Sequence, residues 1–243
     1  MNFLKFIKNF KNYFLLLFLT ATLINPSYNH DHMTEHEIEE EINSSIITYG
    51  SALRIENQMT KFHLYSNKLT WGTGSQMQII TGIKSKDEAN GLWVIKEGHD
   101  KNAKETGSPV MCNDIIRLEH SSTGKNLHSH NYKSWITDSQ EACGYGNNGI
   151  GDINDEFKII CYNSSSDKVT GKTNFFLYHE ATNKYLYINI KNSLFDERNC
   201  RNCPIIYQRE VSLTDHKDKQ CIWNIKGGLI FKDNSILDNN ANY

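Results

Sequence analysis

Ile116-Arg117-Leu118-Glu119-His120, then Ser122-Thr123-Gly124-Lys125, then Asn126-Leu127-His128-Ser129: this stretch alternates apolar with polar residues, turns, and runs back. Alternation at period two marks a half-buried strand. Small polar residues and glycine between two such runs predict a β-hairpin. The pattern recurs on both sides. Leu53-Arg54-Ile55, Phe62-His63-Leu64-Tyr65-Ser66 and Leu92-Trp93-Val94-Ile95 come before it; Phe175-Phe176-Leu177, Tyr185-Leu186-Tyr187-Ile188 and Ile222-Trp223-Asn224-Ile225 come after. Register is kept throughout. Leu64, Leu127 and Leu186 are 63 and 59 residues apart, and Trp93, Phe157 and Trp223 are 64 and 66 apart. From leucine to aromatic the distances are 29, 30 and 37, so the third copy carries an insertion of about seven residues holding Cys200-Arg201-Asn202-Cys203-Pro204.

A unit of this size with a few strands cannot bury its own apolar face. Three copies around one axis can, and they leave no open sheet edge. The repeats therefore predict a closed, threefold, all-β body with the six leucine and aromatic anchors in its core. Trp93, Phe157 and Trp223 recur at one repeat position, which makes them core rather than ligand stackers.

Outside the repeats, Lys5, Lys8 and Lys11 precede a twelve-residue apolar run, Tyr13 to Ile24. That run is shorter than the ~20 residues a membrane span needs. It fits a secretory signal cleaved near Pro26 to Asn29, so the mature chain is expected in an oxidising compartment without membrane insertion. Residues 30–42 hold six acidic residues and no lysine or arginine. Thr34 to Ile42 has the composition of a short helix but few apolar residues to dock it, and a solvated acidic arm is the expectation. The whole chain has 26 basic and 28 acidic residues, and the near-neutral body argues against a nucleic-acid partner.

Several segments resemble MIR-domain proteins of the stromal-cell-derived-factor-2 type. They are Ile47-Thr48-Tyr49-Gly50-Ser51-Ala52-Leu53, Leu64-Tyr65-Ser66, Trp71-Gly72-Thr73-Gly74-Ser75, Gly107-Ser108-Pro109-Val110-Met111-Cys112, Ile116 to His120, Thr123 to His130, Gln140-Glu141 and the Cys161 segment. The resemblance covers roughly residues 46–228 and is weakest in the third repeat. It implies a β-trefoil divided as signal peptide 1–28, acidic flexible arm 29–45, MIR repeats 46–100, 106–162 and 163–228, and C-terminal tail 229–243. It also implies a non-catalytic, ER-lumenal protein-binding role in folding and quality control. The partners would be an ER chaperone, its J-domain co-chaperone and non-native clients. MIR modules also occur in protein O-mannosyltransferases, so a carbohydrate-binding trefoil or an accessory module for O-mannosylation is the alternative. The chain ends Asp238-Asn239-Asn240-Ala241-Asn242-Tyr243 without a retrieval signal, so retention in the ER is expected to depend on a partner, with secretion otherwise.

Candidate chemistry is sparse, and no catalytic set and no cofactor are expected. Gly144-x-Gly146-x-x-Gly149 spells a dinucleotide fingerprint but is followed by Asp152-Ile153-Asn154-Asp155-Glu156 and a strand-like run, so it reads as a flexible loop. Cys200-x-x-Cys203 lacks the helix N-terminus that tunes redox pairs, and structural disulfides to other cysteines are the expectation. Cys112 and Cys161 open and close the second repeat and are the best candidate pair. His120, His128 and His130 form the most metal-like group; the expectation is that they hydrogen-bond within the hairpin and hold no metal. Arg117, His120, His128, His130, Tyr132 and Trp135 make up the candidate binding surface, the last two as sugar-stacking rings. Asn43 and Asn163 stand in glycosylation sequons.

Overall fold

The computed structural model describes residues 34–85, 89–99 and 103–234. The signal segment, His30, His32 and the last nine residues lie outside the described residues. The first repeat supplies β1 (Ala52–Asn57), β2 (His63–Thr70), β3 (Gln78–Ile83) and β4 (Leu92–Glu97). The second supplies β5 (Ile115–His120), β6 (Lys125–Lys133), β7 (Gln140–Tyr145) and β8 (Phe157–Tyr162). The third supplies β9 (Asn174–His179), β10 (Lys184–Tyr187), β11 (Arg209–Glu210), β12 (Ser212–Thr214) and β13 (Ile222–Leu229).

First and last strands of each repeat close a six-stranded antiparallel barrel. Its order is β1, β4, β5, β8, β9, β13 and back to β1. The inner strands form three hairpins that meet as a cap through β3–β7, β7–β12 and β11–β3. This is a β-trefoil, and neither layer leaves an unpaired edge along its ring. Leu64, Leu127, Leu186, Trp93, Phe157 and Trp223 are all fully buried in one apolar cluster.

A polar device repeats with the same threefold spacing. His120 Nδ1 bonds Thr123 Oγ1 at 2.8 Å and its Nε2 bonds the Asn90 carbonyl at 2.9 Å. His179 makes the same pair with Thr182 and Asn154, at 2.7 and 2.8 Å. Asn57 does this work in the first repeat: its Oδ1 accepts from Thr60 and its Nδ2 donates to the Gln220 carbonyl. Each carbonyl belongs to the 3₁₀ turn that precedes the last strand of the neighbouring repeat. The device thus pins the hairpin turn of one repeat to the next. Burial lowers the His120 pKa, and it takes His179 from 6.5 to about 4.

Two expectations are corrected here. Thr34 to Ile42 does not stay a solvated arm; Glu35–Ser44 is helical, as α1. Thr34 and Glu37 form a reciprocal cap: the Glu37 carboxylate accepts from Thr34 N at 2.7 Å, and Thr34 Oγ1 accepts from Glu37 N at 3.3 Å. Ile42 packs on the core, and Lys226 Nζ pairs with the Glu39 carboxylate at 3.5 Å. The cysteines of the insertion do not reach other cysteines. Cys200 is bonded to Cys203, with Cα atoms 5.4 Å apart, because the turn between β10 and β11 folds the two together. Cys112 and Cys161 are joined at a Cα distance of 5.5 Å, while Cys143 and Cys221 are free and buried.

Candidate functional site

Strand pairing in the second repeat builds a buried polar cluster. His128 on β6 lies directly opposite Cys143 on β7. His130 follows two residues on, on the same face, because strand side chains alternate. His128 Nδ1 bonds Asp155 Oδ1 at 2.8 Å. An ionised carboxylate only accepts, so Nδ1 carries the proton and Nε2 is left as an acceptor. Nε2 meets His130 Nδ1 at 2.8 Å. Asp155 is fully buried on the 3₁₀ turn Ile153–Asp155. Its other oxygen accepts from Asn126 Nδ2 (2.9 Å), Asp152 N (2.9 Å) and His99 Nε2 (3.0 Å). Burial alone would raise this carboxyl, but the donors from His128, His99 and Asn126 hold its pKa below the ordinary value. Burial and the neighbouring His128 lower the pKa of His130. Tyr145 packs on His128 and Tyr132 on His130, with centroids 4.7 and 4.8 Å apart.

None of this recurs in the other repeats. By strand register, His128 and Cys143 stand where the first repeat has Tyr65 and Thr81 and the third has Tyr187 and Ser212. Counted back from the aromatic anchor, Asp155 stands where Gly91 and Cys221 lie.

The expected binding surface is divided by the structure. Arg117 is committed to scaffold: Nε donates to Glu97 O and Nη1 to Gly149 O, both at 2.7 Å. His120 is fully buried in its repeat device, so it joins neither a surface nor the other two histidines. His128 is buried too; Arg117 and His130 are half-buried, and Tyr132 and Trp135 are exposed. The Gly144–Gly149 segment is not a loose loop. Gly146 and Gly149 sit at positive φ, Asn147 and Ile150 pair across the turn, and Arg117 and Asn126 hold the Gly149 carbonyl. No helix of usable length follows, only the three-residue turn ending at Asp155. Asn163 is exposed in a turn, whereas Asn43 is half-buried in the last turn of α1.

A second feature was missed in the sequence. An open pocket of about 350 Å³ is lined by Leu69, Trp71, Trp135, Phe195, Pro204 and the Cys200–Cys203 bridge, among others. One repeat each contributes Trp71, Trp135 and Phe195. Trp71 donates its indole N–H to Ala142 O at 3.2 Å and Trp135 donates to Asn199 O at 3.0 Å, so both rings are fixed. Their remaining faces line the pocket, and Trp135 is 48% exposed. The signal that existed was the insertion itself, which brings Phe195 and Pro204 to Trp71.

A threefold β-trefoil carrying an open, largely apolar pocket across its three cap hairpins is the class of protein that the fold defines. The MIR domain model matches residues 57–223. Stromal cell-derived factor 2-like protein of Dictyostelium discoideum is 33% identical over 92% of this chain and 99% of its own length. The chain belongs to the stromal cell-derived factor 2-like family of MIR-domain proteins. The crystal structure of the Arabidopsis thaliana SDF2-like protein superposes with a TM-score of 0.71 at 30% identity, over 78% of this chain and 99% of that one. A part of the S. cerevisiae protein O-mannosyltransferase complex, solved with its sugar donor bound, shares the fold with a TM-score of 0.63 at 20% identity, over 78% of this chain and 28% of that one.

Proposed function

We propose that the protein is a non-catalytic binding module of ER protein folding, which holds apolar segments of non-native polypeptides within a chaperone and J-domain co-chaperone complex. The pocket between Trp71, Trp135 and Phe195 carries the reading. It is preformed, open and apolar, of a size to take one or two large side chains. Fixed aromatic rings give contact area at little entropic cost, which suits many clients rather than one. Entry to the secretory pathway is supported by the basic and apolar N-terminal segment and by two disulfides. Among the described residues no helix is long and apolar enough to cross a membrane.

The test is binding of a fluorescent peptide rich in Leu and Phe to the mature protein, alone and with the J-domain partner present. Wild type should bind, and Leu69→Asp, which puts a charge at the pocket mouth, should weaken binding at least ~10-fold, about 1.4 kcal/mol. Equal binding by the variant removes the pocket from the mechanism. The glycan reading is favoured by one observation: Tyr132 is 47% exposed beside half-buried His130. A glycan array in which Tyr132→Ala loses a signal that Leu69→Asp keeps would support that reading instead.

A further inference from the structure

The second-repeat cluster is assembled like a metal site with its supporting shell already in place. We propose that His128 Nε2, His130 Nδ1 and Cys143 Sγ bind a thiophilic divalent transition-metal ion, with zinc as the natural occupant. One donor atom from each residue lies within 4.8 Å of the others, and His128 Nε2 and His130 Nδ1 are 2.8 Å apart. Zinc–nitrogen bonds of ~2.0–2.1 Å and a zinc–sulfur bond of ~2.3 Å set tetrahedral donors roughly 3.3–3.6 Å apart, so small side-chain rotations bring all three onto one ion.

Placement follows from the backbone rather than from chance surface proximity. His128 and Cys143 are a directly opposed cross-strand pair, and His130 is on the same face of β6. The Asp155 carboxylate on His128 Nδ1 is the arrangement that orients metal-binding imidazoles: it fixes the tautomer and presents Nε2 to the ion. Asp155 itself is saturated by Asn126, His99 and the Asp152 amide, which keeps it behind the ligands rather than among them. His128, Asp152 and Asp155 form a second group of donors at similar distance. It is excluded as the primary site because both Asp155 oxygens are already used and His128 Nδ1 faces them with its proton. The Cys143 thiol is free, and its hydrogen-bond contact at Met77 Sδ is a weak one. His130 is half-buried and its neighbour Tyr132 is exposed, so the fourth position is assigned to water or a ligand group reaching the site from the His130 side. On binding, the Cys143 proton passes to solvent and the His130 proton moves from Nδ1 to Nε2, so one proton leaves per ion.

The donor set belongs to this repeat alone. Tyr65 with Thr81 and Tyr187 with Ser212 offer no comparable combination. A buried carboxylate behind two adjacent imidazoles and a thiol is costly to desolvate, and a metal role explains why the four are gathered here.

The experiment is titration of chelator-treated mature protein with Co²⁺ and then Zn²⁺. The expected result is one equivalent of cobalt with a thiolate-to-metal charge-transfer band and tetrahedral visible bands, both erased by zinc. Cys143→Ser should remove the charge-transfer band, and Cys221→Ser, which changes the other free thiol, should keep it. Asp155→Asn should weaken zinc about 10- to 100-fold while leaving the cobalt spectrum tetrahedral. Should Cys143→Ser fail to fold, His130→Asn, at a half-exposed position, tests the same site and should lose at least ~10-fold in affinity. Absence of a charge-transfer band in wild type overturns the proposal. So does a band that survives in Cys143→Ser, or affinity unchanged in a folded His130→Asn.

Discussion

The second repeat and its two siblings share a barrel and differ in the cap. In the barrel, Trp93, Phe157 and Trp223 occupy one position and are equally buried. Trp93 and Trp223 even donate the same indole hydrogen bond, to Leu64 O at 3.0 Å and Leu186 O at 2.9 Å. In the cap hairpins, the second repeat gathers His128, His130, Cys143 and Asp155, while the third inserts a loop closed by Cys200–Cys203. The reason for the asymmetry is mechanical. Every barrel strand packs on the common core, so a change in one repeat is felt by all three. A cap hairpin has one face towards solvent and can be rebuilt alone.

Exchanging features between repeats tests this. The largest effect should come from the shared core. Trp223→Ala leaves a cavity and should cost ~3–5 kcal/mol, read as a fall in the denaturant midpoint. A loss under about 1 kcal/mol would mean the repeats do not share one core.

Next come the two disulfides. Cys112–Cys161 spans 49 residues and clamps barrel segments, whereas Cys200–Cys203 spans three. Loop-closure entropy gives about 4 kcal/mol for the first and about 2 for the second. Paired alanine variants, compared by denaturant unfolding, should keep that order. A reversed order would make the insertion part of the fold's foundation rather than an addition to it.

The polar device predicts an acid limb. His179 has a folded pKa of about 4 against 6.5, so the unfolded chain binds the extra proton between those values. Stability from keeping it neutral is complete above about pH 6.5 and is lost as pH falls towards 4, by roughly 2–3 kcal/mol. His120, also shifted down by burial, adds to the same limb. His179→Asn copies the first repeat, where Asn57 makes equivalent bonds without titrating. That variant should fold and flatten the limb in a pH series of thermal unfolding. An unchanged limb would show that other groups cause it.

The smallest effect belongs to Trp93→Phe, which gives the first repeat the second repeat's anchor. It removes the bond to Leu64 O and a little volume, and should cost about 1–2 kcal/mol. A cost near that of Trp223→Ala would show that the three anchor pockets are not interchangeable.

Spacing alone determined the threefold plan, the six core anchors and the hairpins, because burial in a strand is written locally with period two and copied three times. The residues after the glycine motif showed that it could not open a helix, but not that its turn would be held by Arg117 and Asn126. Contacts between repeats were decided only by tertiary structure. His120 looked like a partner of His128 and His130, yet barrel closure set it against Asn90 of the preceding repeat. Asp155, 27 residues beyond His128, reaches it because the 3₁₀ turn before β8 folds over the β6–β7 hairpin. The pocket needs Trp71, Trp135 and Phe195 from three repeats at once. The helix at Glu35–Ser44 formed because a reciprocal cap, the packing of Ile42 and the Glu39–Lys226 pair outweighed an acidic composition. Periodicity records which face of a strand is buried; which polar groups meet behind that face depends on how the three copies close upon one another.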